Sequence, residues 1–317
     1  MRGVSTELVL DARATVGEGP VWDANRRVLW WVDILGGRVH AFDPTSGSDR
    51  TIPVGPTVGS LALCADGNLL VAAQREVAVL EPDTGRWAPI VEFETESPVR
   101  RSNDGKCDPA GRFWIGRMAL DATAGAGSLL RIERHGTVTT VLAGLTIPNG
   151  LAWSLDAKRM YFIDSPQGMV MEYPYDVETG EIGPGHSLVR FADGGGSPDG
   201  MTIDTEGFLW VAKWGGSCVQ RISPEGHLAD RIDLPVSQVS SCAFGGDDLT
   251  DLYITTARED FGPADIAREP TAGGLYRARP GARGLPPLPF DGWVPGDARF
   301  VSGSPESGRL LRSRGPR

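Results

Sequence analysis

Six copies of one short unit occur along the chain, and this repeat constrains the fold more than any other feature. The copies begin at Glu18, Gly59, Asp104, Asn149, Asp199 and Ser240. Each copy reads as a short apolar strand, a turn rich in Asp, Gly or Asn, and a second strand rich in Trp, Val, Ile, Leu or Tyr, which is the pattern of a β-hairpin. A third strand often follows, as in "RVHAFDPTSG" and "CVQRISPEG". Such a unit, repeated roughly every 40 to 50 residues, is typical of the blades of a β-propeller.

We therefore predict an all-β fold, a six-bladed β-propeller that forms one domain over residues 1–292. A ring of blades has to close, because open ends would leave sheet edges that invite association. We expect the N-terminal stretch "STELVLDAR" to close the ring by adding a strand to the sixth blade. Residues 293–317 lack the repeat and are rich in Gly, Ser, Pro and Arg, so they are expected to form a loose C-terminal tail.

Charge and hydropathy exclude several kinds of partner. A formal net charge of -10 argues against nucleic acid or an anionic membrane, because there is no basic stripe to displace counterions. The first twenty residues contain no apolar run of signal-peptide length, and no stretch is long and apolar enough to span a bilayer. We expect a cytoplasmic protein that is a monomer or a small homo-oligomer.

Cysteine and histidine do not suggest a metal site. The cysteines, Cys64, Cys107, Cys218 and Cys242, are far apart and form no Cys-x-x-Cys motif, so we expect reduced and mostly buried thiols. The four histidines are His40, His135, His186 and His227. Each stands singly in turn-like or polar sequence, and we interpret all four as ordinary surface or strand-end residues.

Oxygen-bearing side chains stand at the head of four repeats. The first strand of every propeller blade lines the central channel, so Glu18, Asp104, Asn149 and Asp199 should converge at one mouth of that channel. Clustered carboxylates that are partly buried cost several kcal/mol unless a positive charge compensates them. Carboxylate and amide oxygens suit a hard divalent ion such as Ca²⁺, Mg²⁺ or Mn²⁺.

Simpler interpretations of these residues remain open. Asn-Gly and Asp-Gly are common turn dipeptides, which would account for Asn149 and Asp199 taken singly. Glu18 could cap the amides of neighbouring strands. Oxygens at the same register in four of the six repeats favour the metal interpretation, because the hairpin turns lie elsewhere in each unit.

Several long motifs resemble a known family. They occur in the family's order and include "GEGPVWD", "RSNDGKCDPAGRFWIGRM", "IPNGLAWSLDAKRMYFIDS" and "SPDGMTIDTEGFLWVA". The chain resembles the SMP-30/gluconolactonase family, which includes regucalcin and bacterial sugar lactonases. That resemblance implies a six-bladed propeller with one divalent metal ion, Ca, Mg, Mn, Zn or Fe, held by Glu18, Asn149 and Asp199.

The same resemblance implies a set of substrate-binding residues. Arg101 and Asn103, in "RSND", match residues that bind a sugar lactone in the family. Relatives similar to regucalcin have two acidic residues after "GTM", whereas this chain reads "GRMALDA" and keeps only the second, as Asp121. Asp104 matches the family's "ND" pair and is expected to lie next to the metal ligands or to be a channel ligand itself.

The function that the resemblance implies is metal-dependent hydrolysis of a sugar lactone to its aldonic acid. Glucono-, xylono-, arabinono- and galactonolactone are all candidate substrates. Asp199 is the candidate general base for water attack, although it could act only as a metal ligand. Two other functions remain open, namely a metal-dependent hydrolase of phosphotriesters and a non-catalytic calcium-binding propeller.

Overall fold

The fold consists of six antiparallel sheets of four strands each, in a computed structural model that describes residues 4–94 and 97–292. The first blade contains β2 (Gly17–Asp23), β3 (Val28–Asp33), β4 (Arg38–Asp43) and β5 (Ser48–Pro53). The second contains β6 (Val58–Leu63), β7 (Leu69–Ala73), β8 (Glu76–Glu81) and β9 (Arg86–Glu92). The third contains β10 (Arg100–Cys107), β11 (Phe113–Ala119), β12 (Gly127–Ile132) and β13 (Val138–Leu145).

The second half of the described chain repeats this plan. The fourth blade contains β14 (Pro148–Trp153), β15 (Arg159–Asp164), β16 (Met169–Pro174) and β17 (His186–Arg190). The fifth contains β18 (Ser197–Ile203), β19 (Leu209–Trp214), β20 (Cys218–Ile222) and β21 (Leu228–Asp233). The sixth contains β22 (Val239–Gly245), β23 (Asp251–Thr256), β24 (Leu275–Ala278) and β1 (Thr6–Leu10).

The blades form a closed ring. The inner strand of each blade contacts the inner strands of both neighbouring blades, and β2 of the first blade contacts β22 of the sixth. The fourth strand of the sixth blade is β1, which comes from the N-terminal segment and pairs antiparallel with β24. The predicted all-β, six-bladed β-propeller is thus confirmed, while the proposed tail at 293–317 lies outside the described residues.

Helices are short in the described ranges. A 3-10 turn covers Ser165–Gln167 in the fourth blade, and one α-helix, α1 (Pro263–Arg268), lies between β23 and β24 of the sixth. Neither is long and apolar enough to cross a membrane.

A buried aspartate braces alternate blades of the ring. Asp23, Asp108 and Asp204 each follow or end an inner strand, and each accepts a hydrogen bond from a tryptophan indole of the next strand. In the fifth blade Asp204 is 0% exposed and also accepts from Arg221 at 2.7 Å. Because these hydrogen bonds lie in the low-dielectric interior, they fix how the first two strands of a blade pair.

Two features differ from the sequence-based expectations or extend them. Each of the first five blades has a fourth strand, such as the mostly exposed β5, and the repeat pattern did not include these strands. The interpretation of His40 as a surface residue is wrong, because it is 6% exposed, stacks on Trp31 and contacts Asp49 through Nδ1 at 2.7 Å. The four cysteines are free and buried, as expected.

Candidate functional site

All six inner strands have a register shift close to the head of the repeat. In the first and fourth blades the shifts lie between Glu18 and Val21 and between Asn149 and Leu151. A bulge of this kind bends the strand and changes the direction of its side chains. The Asn149-Gly150 and Asp199-Gly200 dipeptides therefore lie within β14 and β18 and not in hairpin turns.

Glycine after the head residue allows successive inner strands to approach each other closely. A Cβ atom on Gly150 would lie only 2.6 Å from the carbonyl oxygen of Asp199, on the next blade. Gly19 has a φ of 53°, in the left-handed region that glycine tolerates best. Glycine at these positions brings Glu18, Asn149 and Asp199 toward a common axis.

Two aspartates hold the chain segments that lead into the head residues. Asp33, at the end of β3, accepts from the backbone amides of Thr15 and Val16 just before Glu18. Asp164, at the end of β15, does the same for Thr146 and Ile147 just before Asn149. The approach to both head residues is thus fixed by charge-assisted hydrogen bonds.

We refer to Glu18, Asp104, Asn149 and Asp199 as the channel cluster; each is only 4–6% exposed. Burial, and then the charge of Asp104, raise the pKa of Glu18 to about 8, although the Gly19 amide opposes this by donating to Oε2 at 2.8 Å. Burial and the charges of Glu18 and Asp104 likewise raise the pKa of Asp199. These shifts indicate that the carboxylates lie close together and that the positive charges of Arg101 and Lys106 compensate them only in part.

The chemistry of the channel cluster fits a hard divalent cation. In the ranges 4–94 and 97–292 no group of three or more His, Cys, Asp or Glu side chains is placed to hold a metal. The predicted ligand set instead combines two carboxylates with an amide. Asn149 Oδ1 accepts one hydrogen bond, from Asn103 Nδ2 at 3.1 Å, and a carbonyl oxygen has a second lone pair for a cation.

A chain of hydrogen bonds connects the third, fourth and fifth blades beside the cluster. Arg101 donates from Nη1 to Asn103 Oδ1 at 2.6 Å, and Asn103 Nδ2 donates to Asn149 Oδ1. Asn149 Nδ2 then donates to Ser165 Oγ at 2.9 Å. Ser165 Oγ in turn donates to the carbonyl oxygen of Pro198 at 2.7 Å, next to Asp199 on the chain. This chain fixes the orientation of both amides.

Of the predicted substrate-binding residues, the structure brings two next to the channel cluster. Asn103 is 4% exposed and contacts Asn149 directly. Burial lowers the pKa of Arg101, while the charges of Glu259, Glu18 and Asp199 act in the opposite direction, so its guanidinium lies within their electrostatic reach. Asp121 is exposed, and its Oδ1 accepts from the backbone and hydroxyl of Thr123 in its own loop.

Several polar residues around the cluster were missed by the sequence analysis. Lys106 donates from Nζ to the carbonyl oxygen of Met201 at 2.7 Å, and its charge lowers the pKa of Asp104 against the effect of burial. The other two residues that were not predicted are Ser165 and Glu259. The repeat could have revealed Lys106, which lies two positions after a head residue, but Ser165 and Glu259 belong to loops without a repeated pattern.

The chain is similar to a known protein family and to several named relatives. The family model described as SMP-30/Gluconolactonase/LRE-like region matches residues 16–258. A pentonolactonase of Haloferax volcanii is 39% identical over 289 residues, which cover 89% of this chain and 97% of the relative. A putative sugar lactone lactonase of Bacillus subtilis is 37% identical, with 90% and 99% covered. Chicken (Gallus gallus) regucalcin is 36% identical, with 92% and 100% covered.

Two solved structures are similar to this chain in both fold and sequence. A luciferin-regenerating enzyme superimposes with a TM-score of 0.85 at 34% identity, over 91% of this chain and 100% of the other. A regucalcin from Agrobacterium tumefaciens, described as a calcium-binding protein, gives a TM-score of 0.86 at 29% identity, over 91% and 98% of the two chains.

Proposed function

This chain belongs to the SMP-30/gluconolactonase/LRE-like family, and from that premise we propose that it hydrolyses a sugar lactone to the aldonic acid with the help of one divalent metal ion. The observation that carries the proposal is the convergence of Glu18, Asn149 and Asp199 at one end of the channel, beside Arg101. Relatives named as lactonases for pentonolactone and 6-deoxy-6-sulfogluconolactone support this substrate class.

Glu18, Asn149 and Asp199 are the proposed ligands of the ion, which is Ca, Mg, Mn, Zn or Fe. When bound, a divalent ion supplies a Lewis acid that stabilises negative charge on the lactone carbonyl oxygen. It also supplies positive charge beyond the partial compensation that Arg101 and Lys106 give to the buried carboxylates. Asp104, whose Oδ1 accepts from the Gly105 amide at 2.7 Å, lies beside the ligands and near Lys106.

The proposed reaction adds water to the lactone carbonyl carbon and breaks the bond to the ring oxygen. Asp199 accepts a proton from the attacking water and returns it to the departing ring oxygen, which becomes a hydroxyl group. Arg101 donates to the substrate and stabilises the carboxylate that forms. Asn103 contributes by fixing Arg101 and Asn149, since both its amide atoms are engaged, and Asp121 is a proposed contact at the rim.

The test is a pH-stat assay on glucono-, xylono-, arabinono- and galactonolactone, with metal-stripped and metal-reloaded protein. We expect chelation to abolish turnover of at least one lactone and a divalent ion to restore it. Full activity after verified metal removal would contradict the metal-dependent mechanism. Turnover of a phosphotriester but of no lactone would favour a metal-dependent phosphotriester hydrolase. Metal binding without turnover of either kind of ester would favour a non-catalytic calcium-binding propeller.

A further inference from the structure

Glu259 lies on the rim of the sixth blade, at the end of the channel where the cluster lies. Val239, at the head of β22, pairs with Thr256 at the end of β23, so the residues after Thr256 continue at the head end of the inner strands. The backbone amide of Arg258 donates a hydrogen bond to the carbonyl oxygen of Thr15, three residues before Glu18. The loop that carries Glu259 is therefore attached to the segment that leads into the channel cluster.

The main chain of Glu259 is held in place by one neighbouring side chain. Gln238 donates from Nε2 to the carbonyl oxygen of Glu259 at 3.0 Å, and its Oε1 accepts from the Glu259 amide at 2.8 Å. This reciprocal pair imitates the pairing of two antiparallel strands. A loop residue fixed on both sides of its Cα holds its side chain with little loss of entropy when a ligand binds.

The charge of Glu259 acts on residues at the centre of the channel. Arg101 belongs to the third blade and Glu259 to the sixth, and in a ring of six these blades are opposite each other. Nevertheless Glu259 is the strongest attractive charge acting on Arg101, and it also repels the carboxylate of Asp199. Electrostatic interaction weakens with distance, so charges on opposite blades shift each other's pKa only if both side chains extend toward the centre of the ring.

Glu259 is half-buried, and Gln238 holds its loop through the main chain and not through the carboxylate. An ionised carboxylate only accepts hydrogen bonds, whereas the guanidinium of Arg101 only donates them. A polyhydroxylated ring between them offers hydroxyl protons to one and oxygen lone pairs to the other.

We propose that Glu259 forms a hydroxyl-binding subsite opposite Arg101 and thereby sets the preference of this channel for polyhydroxylated lactones over lactones that lack hydroxyl groups. This inference rests on the proposed lactonase function and assigns the recognition of the sugar hydroxyls within it. Glu259 takes no part in proton transfer or metal binding.

The test compares Glu259→Gln with Asp260→Asn, which removes a neighbouring carboxylate that is exposed. Asp260 has a φ of 58°, a conformation that asparagine also tolerates, so this control preserves the loop. Both variants and the wild type are assayed, loaded with the activating metal, on D-glucono-1,5-lactone and on δ-valerolactone, which has the same ring without hydroxyl groups.

We expect Glu259→Gln to raise KM for the gluconolactone about tenfold with little change in kcat, because a charged hydrogen bond to substrate is weakened. Its kcat/KM for δ-valerolactone should stay within about twofold of wild type. Equal losses on both lactones, no loss on either, or the same loss in Asp260→Asn would overturn the inference.

A binding measurement separates failure of the subsite from failure of the proposed function. Calorimetric titration with 1,5-anhydro-D-glucitol, a ring polyol without a lactone carbonyl, should show about tenfold weaker binding to Glu259→Gln than to wild type. If the wild type hydrolyses neither lactone, the proposed function fails and this titration alone decides the subsite. Equal affinity of both proteins for the polyol, or no binding to the wild type, refutes the subsite.

Discussion

Asn103 donates a hydrogen bond from Nδ2 to Oδ1 of Asn149 at 3.1 Å, so a residue of the third blade fixes the amide orientation of a residue of the fourth. The nitrogen of the Asn149 amide, Nδ2, donates a hydrogen bond to Ser165 Oγ. An amide held at both ends presents its oxygen in one orientation only. The cost of ordering this group is therefore met when the protein folds and not when a cation binds.

Replacing Asn103 by leucine should consequently weaken metal binding, although Asn103 is not a proposed ligand. We expect about tenfold weaker affinity of the metal-stripped protein for the activating ion, because residues that orient metal ligands typically contribute this much. Calorimetric titration with the ion measures the change. Asn25→Ala, at an exposed turn of the first blade, should leave the affinity unchanged, and an unchanged affinity in Asn103→Leu would show that the orientation of Asn149 does not depend on it.

Asp199→Asn and Asp104→Asn separate the proposed base from its buried neighbour. Both changes preserve size and remove one negative charge from the channel cluster. At saturating metal we expect Asp199→Asn to lower kcat for the preferred lactone by a factor on the order of 100 to 10,000, the usual contribution of a general base. Asp104→Asn should lower it much less. Metal content measured on the same samples excludes simple loss of the ion, and a metal-loaded Asp199→Asn with normal kcat would leave Asp199 as a ligand only.

The fold was predictable because the repeat combines two independent signals, strand alternation and a fixed register of head residues. The buried strands were found since apolar side chains mark them, whereas the fourth strands of the first five blades were missed. β5, for example, is held by backbone pairing to β4 and has mostly exposed polar side chains, so it lacks a hydrophobic pattern.

For the candidate site, the sequence supplied the head residues but not their surroundings. Glu18, Asn149 and Asp199 lie at equivalent positions of a repeat, and aligning the repeats of the amino-acid sequence shows this equivalence. Ser165 contacts Asn149 from a 3-10 turn, whereas the charge of Glu259 acts on the cluster from a loop, and the course of both segments depends on tertiary contacts. The environment of His40 was also unpredictable, because its burial depends on stacking against Trp31 of the neighbouring strand.

Asp204→Ala should test the polar brace of the fifth blade. Asp204 is 0% exposed and accepts from the Trp210 indole at 3.0 Å and from Arg221 at 2.7 Å. Its removal leaves buried donors without their acceptor, so we expect the free energy of unfolding to fall by about 3 kcal/mol. Urea denaturation measures this loss, with Asp248→Ala, at an exposed turn, as a control that should change stability little. Similar midpoints for Asp204→Ala and wild type would show that the brace is not important for stability.

Lys213 should make stability depend on pH in the alkaline range. Lys213 is 1% exposed, and its Nζ has no hydrogen-bond partner among the described residues. The same Nζ lies 3.7 Å from the ring centroid of Phe191. Burial lowers the pKa of Lys213 from 10.5 to about 8. Below pH 8 the folded protein bears the cost of a buried ammonium that the unfolded chain does not bear. Between about pH 8 and 10.5 the unfolded state binds more protons, so this contribution makes stability rise with pH.

Lys213→Met removes the charge and preserves most of the side-chain volume, so it should be more stable than wild type below pH 8. The difference should shrink by an amount on the order of 2 kcal/mol as the pH rises toward 10.5, because the wild-type lysine loses its proton over that range. Urea denaturation of both proteins at pH 7, 8, 9 and 10 isolates this contribution, since all other titrating groups are shared. A stability difference that is constant across these four pH values would show that Lys213 has an ordinary pKa in the folded protein.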